Sequence, residues 1–228
     1  MLQQVKRVVP KPIKRRAKQA LQDYRFGQAM RRVMQLADGE FPSRQLLGEL
    51  QLGWGNDSFA ARYDYLEEVI ARASETPGPI LECGSGLTTL LLGLYAGRRG
   101  VRTWSLEHLP EWQARVSNAV RRFHLSGVNV CLAPLREYDE FHWYDLQLDK
   151  LPERFSLVVC DGPPGTTRGG RYGLLPVLGE RIREDSLILL DDAGREAEAE
   201  VLRRWAAERN ARVTLRDAPT GTFALVNC

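Results

Sequence analysis

Acidic side chains stand at the ends of four apolar, strand-like runs of this 228-residue chain. Glu82 and Glu107 close two of these runs, Asp161 follows a third, and the pair Asp191-Asp192 follows a fourth. The carboxyl ends of parallel strands meet at one edge of a sheet, where ligands bind. Carboxylates at that edge can accept hydrogen bonds from ribose hydroxyls, attract a cation or take a proton from a substrate. The spacing therefore predicts a ligand site lined by acids.

A glycine turn follows the first of these runs, within the segment Ile80-Leu81-Glu82-Cys83-Gly84-Ser85-Gly86-Leu87-Thr88-Thr89. Apolar helix formers come next, so the segment predicts a strand that enters a helix through a tight turn. Gly84 and Gly86 lack the Cβ atoms that would block close approach, and a helix N-terminus offers free N–H groups. The turn therefore presents its backbone to a ligand.

A nicotinamide dinucleotide is a poor match for this turn, although dehydrogenases also place an acid after the second strand. Their fingerprint G-x-G-x-x-G needs a third glycine, and Thr89 stands three residues after Gly86. The carboxylate of Glu82 directly before the turn would repel a pyrophosphate. A ligand that carries positive charge suits this carboxylate better.

Strand-like and helical patterns alternate along most of the chain. Strands are predicted near residues 80–83, 101–106, 128–132, 155–160, 186–190, 212–215 and 222–226, and helices over 13–37, 59–73, 87–95, 111–123, 174–182 and 196–207. This alternation is typical of a doubly wound, mostly parallel α/β sheet of seven strands with helices on both faces. The predicted domains are an N-terminal helical extension, residues 1–76, and a Rossmann-like domain, residues 77–228.

The N-terminal extension is basic, because residues 1–40 carry ten Lys and Arg against three Asp and Glu. Residues 41–228 carry 22 basic against 26 acidic residues, which argues against nucleic acid as a partner of the whole protein. The helix predicted over 13–37 has apolar spacing on one face and basic residues on the other. It either packs on the remainder of the protein or contacts an anionic membrane surface, an acidic partner or a substrate.

Composition predicts a soluble, cytoplasmic globular protein, with 43% hydrophobic and 27% charged residues. Cys83, Cys131, Cys160 and Cys228 lack C-x-x-C spacing, so reduced, mostly buried thiols are expected. No apolar run reaches the roughly 18 residues of a membrane span.

Taken together, Ile80–Gly86, Glu107 and the segment Val158-Val159-Cys160-Asp161-Gly162-Pro163-Pro164-Gly165 resemble the class I S-adenosylmethionine-dependent methyltransferases. The resemblance covers residues 78–228 and implies an antiparallel last strand. It implies that Asp161 faces the reacting centre as the catalytic residue. The cofactor residues it implies are Glu82, Gly84, Ser85, Gly86, Thr88 and Thr89 for the methionine part, Glu107 and His108 for the ribose, Ala133, Pro134 and Leu135 for the adenine, and Asp161 and Gly162 beside the methyl group.

The expected activity is methyl transfer to a hydroxyl of a small-molecule or glycan-type acceptor. The N-P-P-Y signature of amino-directed enzymes is absent, and Asp161-Gly162-Pro163-Pro164 stands in its place. The alternative is a cofactor-binding interaction protein without activity, which docks through its basic N-terminal helix. Oligomeric state does not follow from these residues.

Asp161, Asp191 and Asp192 follow adjacent strands and predict a site for Mg²⁺ or another divalent cation, which would orient and acidify an acceptor hydroxyl. The placement is similar to catechol-type O-methyltransferases, although here no amide partner is present. In the alternative reading, Asp192 caps the helix that begins near Gly194, while Asp161 contacts the cofactor or acts as a base.

Two further groups near the predicted site are singled out by residue type. Arg168 and Arg171 lie in the loop after the fourth strand and are predicted to bind an acidic group of the acceptor, unless the loop is simply solvated. The aromatic run Phe141-His142-Trp143-Tyr144 is expected to pack in the core or at the edge of the cofactor rather than to form an acceptor platform.

Overall fold

The computed structural model describes residues 11–55 and 61–227, without the side chains of residues 11–15 and Arg183. The predicted helix start at Phe59, and Cys228, lie outside the described residues. The chain divides into two compact units, Met1–Ala60 and Ala61–Cys228.

The first unit contains two helices, α1 (Lys11–Met34) and α2 (Arg44–Trp54). Among the described side chains of α1, the buried apolar ones lie in its second half, namely Phe26, Ala29, Met30 and Val33. Leu21 and Tyr24, which were predicted on the same apolar face, are 49% and 60% exposed. The predicted continuous apolar face is therefore only half buried in this unit.

Helix α2 was not predicted from the sequence, because its eleven residues are short for a reliable periodicity. Its start is marked by Ser43, whose side chain accepts a hydrogen bond from Leu46 N at 3.3 Å. It ends at Gly55 in the left-handed conformation, a common helix terminator. Phe26 and Trp54 pack their rings 5.1 Å apart and join the two helices.

The second unit begins with α3 (Tyr63–Glu75), so the boundary lies at residue 60/61 rather than at the predicted 76/77. The physical reason is that α3 packs on the sheet. The Tyr65 hydroxyl donates to Leu189 O at 3.1 Å, and Leu66, Val69 and Ile70 are buried. Helix α3 is thus a layer of the α/β unit and not part of an extension.

The remaining elements alternate as predicted. They are β1 (Ile80–Cys83), α4 (Leu87–Tyr95), β2 (Thr103–Glu107), α5 (Pro110–Arg122), β3 (Val128–Leu132), β4 (Leu135–Glu137), β5 (His142–Tyr144), β6 (Phe155–Cys160), α6 (Leu174–Leu178), β7 (Ile182–Leu190), α7 (Glu196–Arg209), β8 (Arg212–Ala218) and β9 (Gly221–Asn227). The antiparallel pair β4–β5 was not predicted, and β7 begins four residues before the predicted start at Ser186.

The main sheet has seven strands in the order β3-β2-β1-β6-β7-β9-β8, and β9 runs antiparallel to both of its neighbours. The predicted mostly parallel sheet with an antiparallel last strand is confirmed. All four residues of the central strand β1 are buried, as expected for a parallel strand covered on both faces.

Alternate residues of the central strands face opposite layers. Leu81 and Cys83 belong to the core that includes α6, α7 and the β4–β5 hairpin. Glu82 faces the other layer, where it contacts Thr89 of α4. Helices on both faces are therefore confirmed, and the aromatic run 141–144 packs in the core, with Trp143 and Tyr144 fully buried.

Cys83, Cys131 and Cys160 are free thiols, as predicted. None of the helices within residues 11–55 and 61–227 combines the length and the hydrophobicity that a bilayer-spanning segment requires.

Candidate functional site

The predicted acids meet at the carboxyl edge of the sheet because the strand ladder continues one residue past β1, β3, β6 and β7. The residue directly after each of these strands donates its backbone N–H to the end of a neighbouring strand. The pairs are Gly84 to Leu106 O (3.0 Å), Ala133 to Glu107 O (2.7 Å), Asp161 to Cys83 O (3.0 Å) and Asp191 to Cys160 O (3.1 Å). The first residues of four loops are therefore held by backbone bonds beside one another.

Glu82 lies beneath the glycine turn and is fully buried. Its carboxylate accepts from Thr89 Oγ1 at 2.6 Å and from Ser105 Oγ, and Thr89 Oγ1 accepts in turn from Gly86 N at 2.8 Å. Thr88 is buried as well, and the predicted contacts of Glu82, Thr88 and Thr89 with a cofactor stay a prediction. These buried side chains fix the shape of the turn from below.

Burial raises the pKa of Glu82 to about 7, although the hydroxyls of Ser105, Thr88 and Thr89 favour the charged form. The second carboxylate oxygen, Oε1, has no hydrogen-bond partner among the described residues. The pKa of Glu82 therefore rises because hydrogen bonds replace only part of the water that would solvate its carboxylate.

Glu107 is 3% exposed at the end of β2 and holds the turn from the side. Its Oε2 accepts from Ser85 Oγ at 2.8 Å and from Ser85 N at 3.3 Å, and Oε1 accepts from Leu109 N at 2.9 Å. His108 Nδ1 lies 3.1 Å from Glu107 Oε1. The structure thus brings together Ser85, Glu107 and His108, as predicted.

Trp112 is a site residue that the sequence analysis assigned only to the apolar face of α5. Its indole Nε1 donates to Ser85 O at 2.7 Å. The glycine turn is therefore supported from α5 as well as from α4 and β2. A Trp at the start of an amphipathic helix gives no signal for this bond, because its spacing already fits core packing.

The two glycines of the turn differ in backbone conformation and in the space around them. Gly84 has φ +88°, and a Cβ there would lie 3.0 Å from Gly162 N, so its own surroundings require glycine. Gly86 has extended backbone, with φ 178°, and a Cβ there would meet no described atom within 4 Å. The protein itself therefore leaves open space at Gly86.

Tyr144 lies on the other side of Gly162. A Cβ at Gly162 would lie 2.6 Å from the Tyr144 hydroxyl, and Gly162 N donates to Cys83 O at 2.6 Å. The Tyr144 hydroxyl is buried and has no hydrogen-bond partner among the residues that the structure describes. A buried phenol without a partner carries a desolvation cost that a ligand atom would relieve.

The residues predicted to border an adenine follow β3 directly. Ala133 is buried, Pro134 is exposed and Leu135 is half-buried at the start of β4. Pro134 O accepts from Asp145 N at 2.8 Å, which joins the two ends of the β4–β5 hairpin. These residues thus form a fixed, mostly apolar step at the edge of the site.

Arg171 is 2% exposed and lies among the acids that follow β6 and β7. Its Nη2 donates to Asp161 O at 2.8 Å and to Asp161 Oδ1 at 3.0 Å, and lies 3.4 Å from Asp192 Oδ2. Its Nη1 donates to Asp191 O. One guanidinium therefore joins both strand ends, and the expected contact of Arg171 with an acceptor is corrected because solvent does not reach it.

Glu198 adds a fourth carboxylate to this cluster, and the sequence analysis missed it. It is 1% exposed, its Oε1 lies 3.8 Å from Arg171 Nη1, and neither oxygen has a hydrogen-bond partner in the described part of the chain. The buried face of α7 is Glu198, Val201, Leu202 and Trp205, whereas Ala197, which was predicted on that face, is exposed. The helical spacing of α7 predicted a buried residue near its start, but the residue that is buried there, Glu198, is acidic.

Two carboxyls of the cluster, those of Asp161 and Asp191, bind protons more readily than free ones. Burial raises the pKa of Asp191 to about 6, with a further contribution from Asp192. Burial also raises the pKa of Asp161, and the charge of Arg171 opposes this shift.

The predicted divalent cation does not fit this cluster as it stands. Carboxylate oxygens of Asp161, Asp191 and Asp192 do lie within 4.8 Å of one another, as a metal site would require. The guanidinium of Arg171 already contacts Asp161 and Asp192, however, and supplies the positive charge between them. No step of a reaction is therefore assigned to a metal.

The alternative reading, in which Asp192 caps a helix near Gly194, is also corrected. Helix α7 begins at Glu196, and its N-cap residue Arg195 makes no side-chain cap bond. The Asp192 carboxylate pairs with Arg195 at 2.8 Å and with Arg171 instead.

Arg168 differs from Arg171 in exposure, because 53% of its side chain is accessible. It donates to Asp139 O at 2.8 Å and lies 3.4 Å from Glu137 Oε1, in a pair exposed on both sides. Its predicted role toward an acceptor stays a prediction.

Replacement of Arg171 by methionine is expected to lower the free energy of unfolding by on the order of 3–5 kcal/mol, because buried carboxylates then lose their counter-charge. Chemical denaturation at pH 7 measures this change. The matched control is Arg168→Met, for which the exposed pair predicts about 1 kcal/mol or less. Equal losses in the two variants would contradict the assigned role of Arg171.

Glu82→Gln is expected to change how stability depends on pH. The folded pKa of Glu82, about 7, lies above the ordinary 4.5, so the folded state binds an extra proton between these values. Stability of the wild type therefore falls as pH rises through this window, by up to about 3 kcal/mol from this group. Denaturation of both proteins between pH 4.5 and 8 should show the variant gaining on the wild type as pH rises. A difference that does not vary with pH would refute the assignment.

Many solved methyltransferase structures share the fold of this chain. A methyltransferase from Geobacter sulfurreducens matches with a TM-score of 0.56 over 83% of this chain and 92% of its own, at 12% identity. The S-adenosylhomocysteine-bound methyltransferase PaMTH1 of Podospora anserina matches with a TM-score of 0.53 over 96% and 97%, at 15% identity. The O-methyltransferase TomG of Streptomyces achromogenes, in complex with S-adenosylmethionine, gives 0.52 over 74% and 81%, at 13% identity.

No family model and no curated protein matches the sequence. At these identities the structural matches establish the fold alone, and they agree with the strand order and the antiparallel β9 described above. The chain therefore has the Rossmann-like fold of the class I S-adenosylmethionine-dependent methyltransferases, as its motifs predicted.

Proposed function

We propose that this chain binds S-adenosylmethionine at the carboxyl edge of its sheet and transfers the methyl group to a hydroxyl of a small-molecule or glycan-type acceptor. The observation that carries the proposal is the open glycine turn at Gly86, which lies beside the carboxylate of Glu107 in a fold shared with methyltransferases. The protein's own packing does not require glycine at Gly86, because a Cβ there would meet no described atom within 4 Å.

The residues present fit this cofactor. The space at Gly86 is the kind of cradle that a Cβ would fill, and the Tyr144 hydroxyl is buried without a partner beside Gly162. We assign the backbone of residues 84–86 to the methionine part, Glu107 and His108 to the ribose, and residues 133–135 to the adenine. When bound, the cofactor supplies an electrophilic methyl group on a positively charged sulfur.

The acidic edge suits that positive charge. Glu107 accepts hydrogen bonds from Ser85, and a ribose hydroxyl can take the place of the Ser85 hydroxyl without changing the donor chemistry. Glu82 acts through Thr89, which holds Gly86 N, so it shapes the turn without touching the ligand. The cofactor site is therefore built from backbone that buried acids hold in place.

Asp161 is the proposed base for the acceptor. Its side chain is 24% exposed at the end of β6, and its Oδ1 is bound by Arg171. The other carboxylate oxygen is the atom we assign to receive the hydroxyl proton. Because burial raises the pKa of Asp161, its carboxylate is a stronger base than a free aspartate.

Hydroxyl rather than amine acceptors are supported by the residues after β6. Asp161-Gly162-Pro163-Pro164 presents a charged carboxylate where amino-directed enzymes have a neutral amide in N-P-P-Y. Among the structural matches, TomG is named as an O-methyltransferase, which is consistent with this proposal. Arg168, exposed in the same loop, is the proposed contact for an acidic group of the acceptor.

A second candidate function uses the first unit. Leu21 and Tyr24 are exposed on α1, on a segment whose other residues include many Lys and Arg. This pattern favours contact with an anionic membrane surface or an acidic partner, either as an addition to methyl transfer or as the role of an inactive cofactor-binding protein. A cytoplasmic location with peripheral membrane contact accordingly remains a proposal.

Calorimetry with S-adenosylhomocysteine tests the cofactor assignment. We expect saturable binding of S-adenosylhomocysteine and none of NAD⁺, because the turn lacks the third glycine and carries acids on two sides. Binding of NAD⁺ in preference to S-adenosylhomocysteine would overturn the proposal.

The matched variants for this measurement are the two glycines of the turn. Gly86→Ala should fold with unchanged stability and lose at least about tenfold in S-adenosylhomocysteine affinity, because its Cβ enters only the proposed cofactor space. Gly84→Ala should lose stability instead, by roughly 1–2 kcal/mol, because φ is +88° there.

Tyr144→Phe separates a ligand contact from a structural one. Because its hydroxyl has no partner among the described residues, the variant should keep or slightly raise the melting temperature. Its affinity for S-adenosylhomocysteine should fall about three- to tenfold if the bound cofactor supplies the missing partner. The hydroxyl has no role in the cofactor site if affinity is unchanged.

A further inference from the structure

We propose that Arg171 is the resident cation of the acidic cluster formed by Asp161, Asp191, Asp192 and Glu198, and that it takes the place of a divalent metal ion. The proposal concerns a residue that the sequence placed on the surface and the structure places inside.

The three aspartates alone have the spacing of a metal site. Their carboxylate oxygens lie within 4.8 Å of one another at the ends of β6 and β7. Their fixed backbone is provided by the strand ladder, since Asp161 N donates to Cys83 O and Asp191 N to Cys160 O. The arrangement therefore brings three oxygen ligands together before any cation is considered.

The guanidinium already contacts the carboxylates of two of these three aspartates, Asp161 and Asp192. Its Nη2 is 3.0 Å from Asp161 Oδ1 and 3.4 Å from Asp192 Oδ2. Nη2 also donates to the backbone oxygen of Asp161, and Nη1 donates to the backbone oxygen of Asp191. A Mg²⁺ ion at about 2.1 Å from Asp161 Oδ1 would lie no more than about 5 Å from Nη2. Because arginine stays charged at any working pH, it would repel that ion.

The loop that carries Arg171 is built to deliver it. Gly169 and Gly170 both have positive φ, +76° and +52°, and turn the chain back toward the sheet just before the arginine. His142 N donates to Arg168 O at 2.9 Å, which fixes the loop against β5. The position of the guanidinium is therefore set by backbone conformation and not only by attraction to the acids.

Glu198 shows that the cluster needs this charge. Its carboxylate is 1% exposed, lacks a hydrogen-bond partner in the described chain, and has Arg171 Nη1 at 3.8 Å. Asp192 is 18% exposed and has a second, exposed partner in Arg195, whereas Glu198 is only 1% exposed. Arg171 thus lies beside acids that follow β6 and β7 and an acid of α7.

The functional consequence rests on the proposed methyl transfer. Arg171 holds Oδ1 of Asp161, so the aspartate keeps a fixed orientation toward the acceptor without an ion that would have to be bound first. Arg171 is a positioning residue in this scheme, because it is buried and acts through Asp161.

The test begins with the wild-type protein and Mn²⁺ alone, followed by electron paramagnetic resonance of the free ion at pH 7. We expect no bound Mn²⁺ up to about 1 mM, because the arginine fills the acidic cluster. Binding below that concentration that disappears in Asp192→Asn would overturn the proposal. This measurement on the wild-type protein tests the proposal even if no variant of Arg171 folds.

The second arm asks whether the arginine is what excludes the ion. Arg171→Met/Glu198→Gln removes one positive and one negative charge and leaves the three aspartates, so Mn²⁺ affinity should rise at least about tenfold over the wild type. Adding Asp192→Asn should abolish this gain, and Arg168→Met should bind Mn²⁺ like the wild type. A folded double variant without the gain would show that Arg171 has only a structural role.

Calorimetry with S-adenosylhomocysteine on the same samples, with and without a chelator, separates the two proposals. We expect equal affinities with and without chelator. Absence of S-adenosylhomocysteine binding overturns the proposed function, whereas the Mn²⁺ results still judge the role of Arg171.

Discussion

The edge of the sheet depends on how buried negative charge is compensated. The strand ladder brings four loops to one edge, and two of these loops begin with Asp161 and Asp191. Glu82 and Glu107 lie in the strands beside them, and water reaches these acids only in part or not at all. Transfer of an ionised carboxylate out of water is costly unless a counter-charge or hydrogen bonds replace the lost solvation. The surrounding sequence can be understood as the set of residues that provide this replacement.

The two faces of the sheet provide it in different ways. On the α4 side, Glu82 is surrounded by hydroxyls of Thr89 and Ser105, and its pKa rises because these donors only partly replace water. On the α7 side, Asp161 and Glu198 share the charge of Arg171. Hydroxyls fix the shape of a turn without adding charge, whereas a guanidinium can also join backbone oxygens of two strand ends. The carboxylate on the α4 side is therefore supported by neutral hydroxyls, and the carboxylates on the α7 side are supported by a charged guanidinium.

The sequence was sufficient for the features that repeat or alternate. The alternation of strand-like and helical runs predicted a mostly parallel sheet of seven strands, which the structure contains, and Gly84 and Glu107 lie at its carboxyl edge. Contacts that depend on tertiary packing were not predictable. Glu198 interrupts an otherwise apolar helix face, and the Tyr144 hydroxyl gains significance only because nothing described binds it. Helix α2 was missed because eleven residues are short for a reliable apolar periodicity.

The misplacement of Arg171 shows why spacing of acids cannot by itself distinguish a metal site from an ion-pair network. Both need several carboxylates at adjacent strand ends, and both satisfy them with positive charge. In a metal site the positive charge comes from an ion in solution, so no residue of the sequence supplies it. Here it comes from a residue ten positions after Asp161, in a loop that looks solvated because it contains Gly169 and Gly170. Those glycines have left-handed backbone, and that conformation turns the arginine inward. The feature that made the loop look exposed is therefore the one that lets it supply the cation.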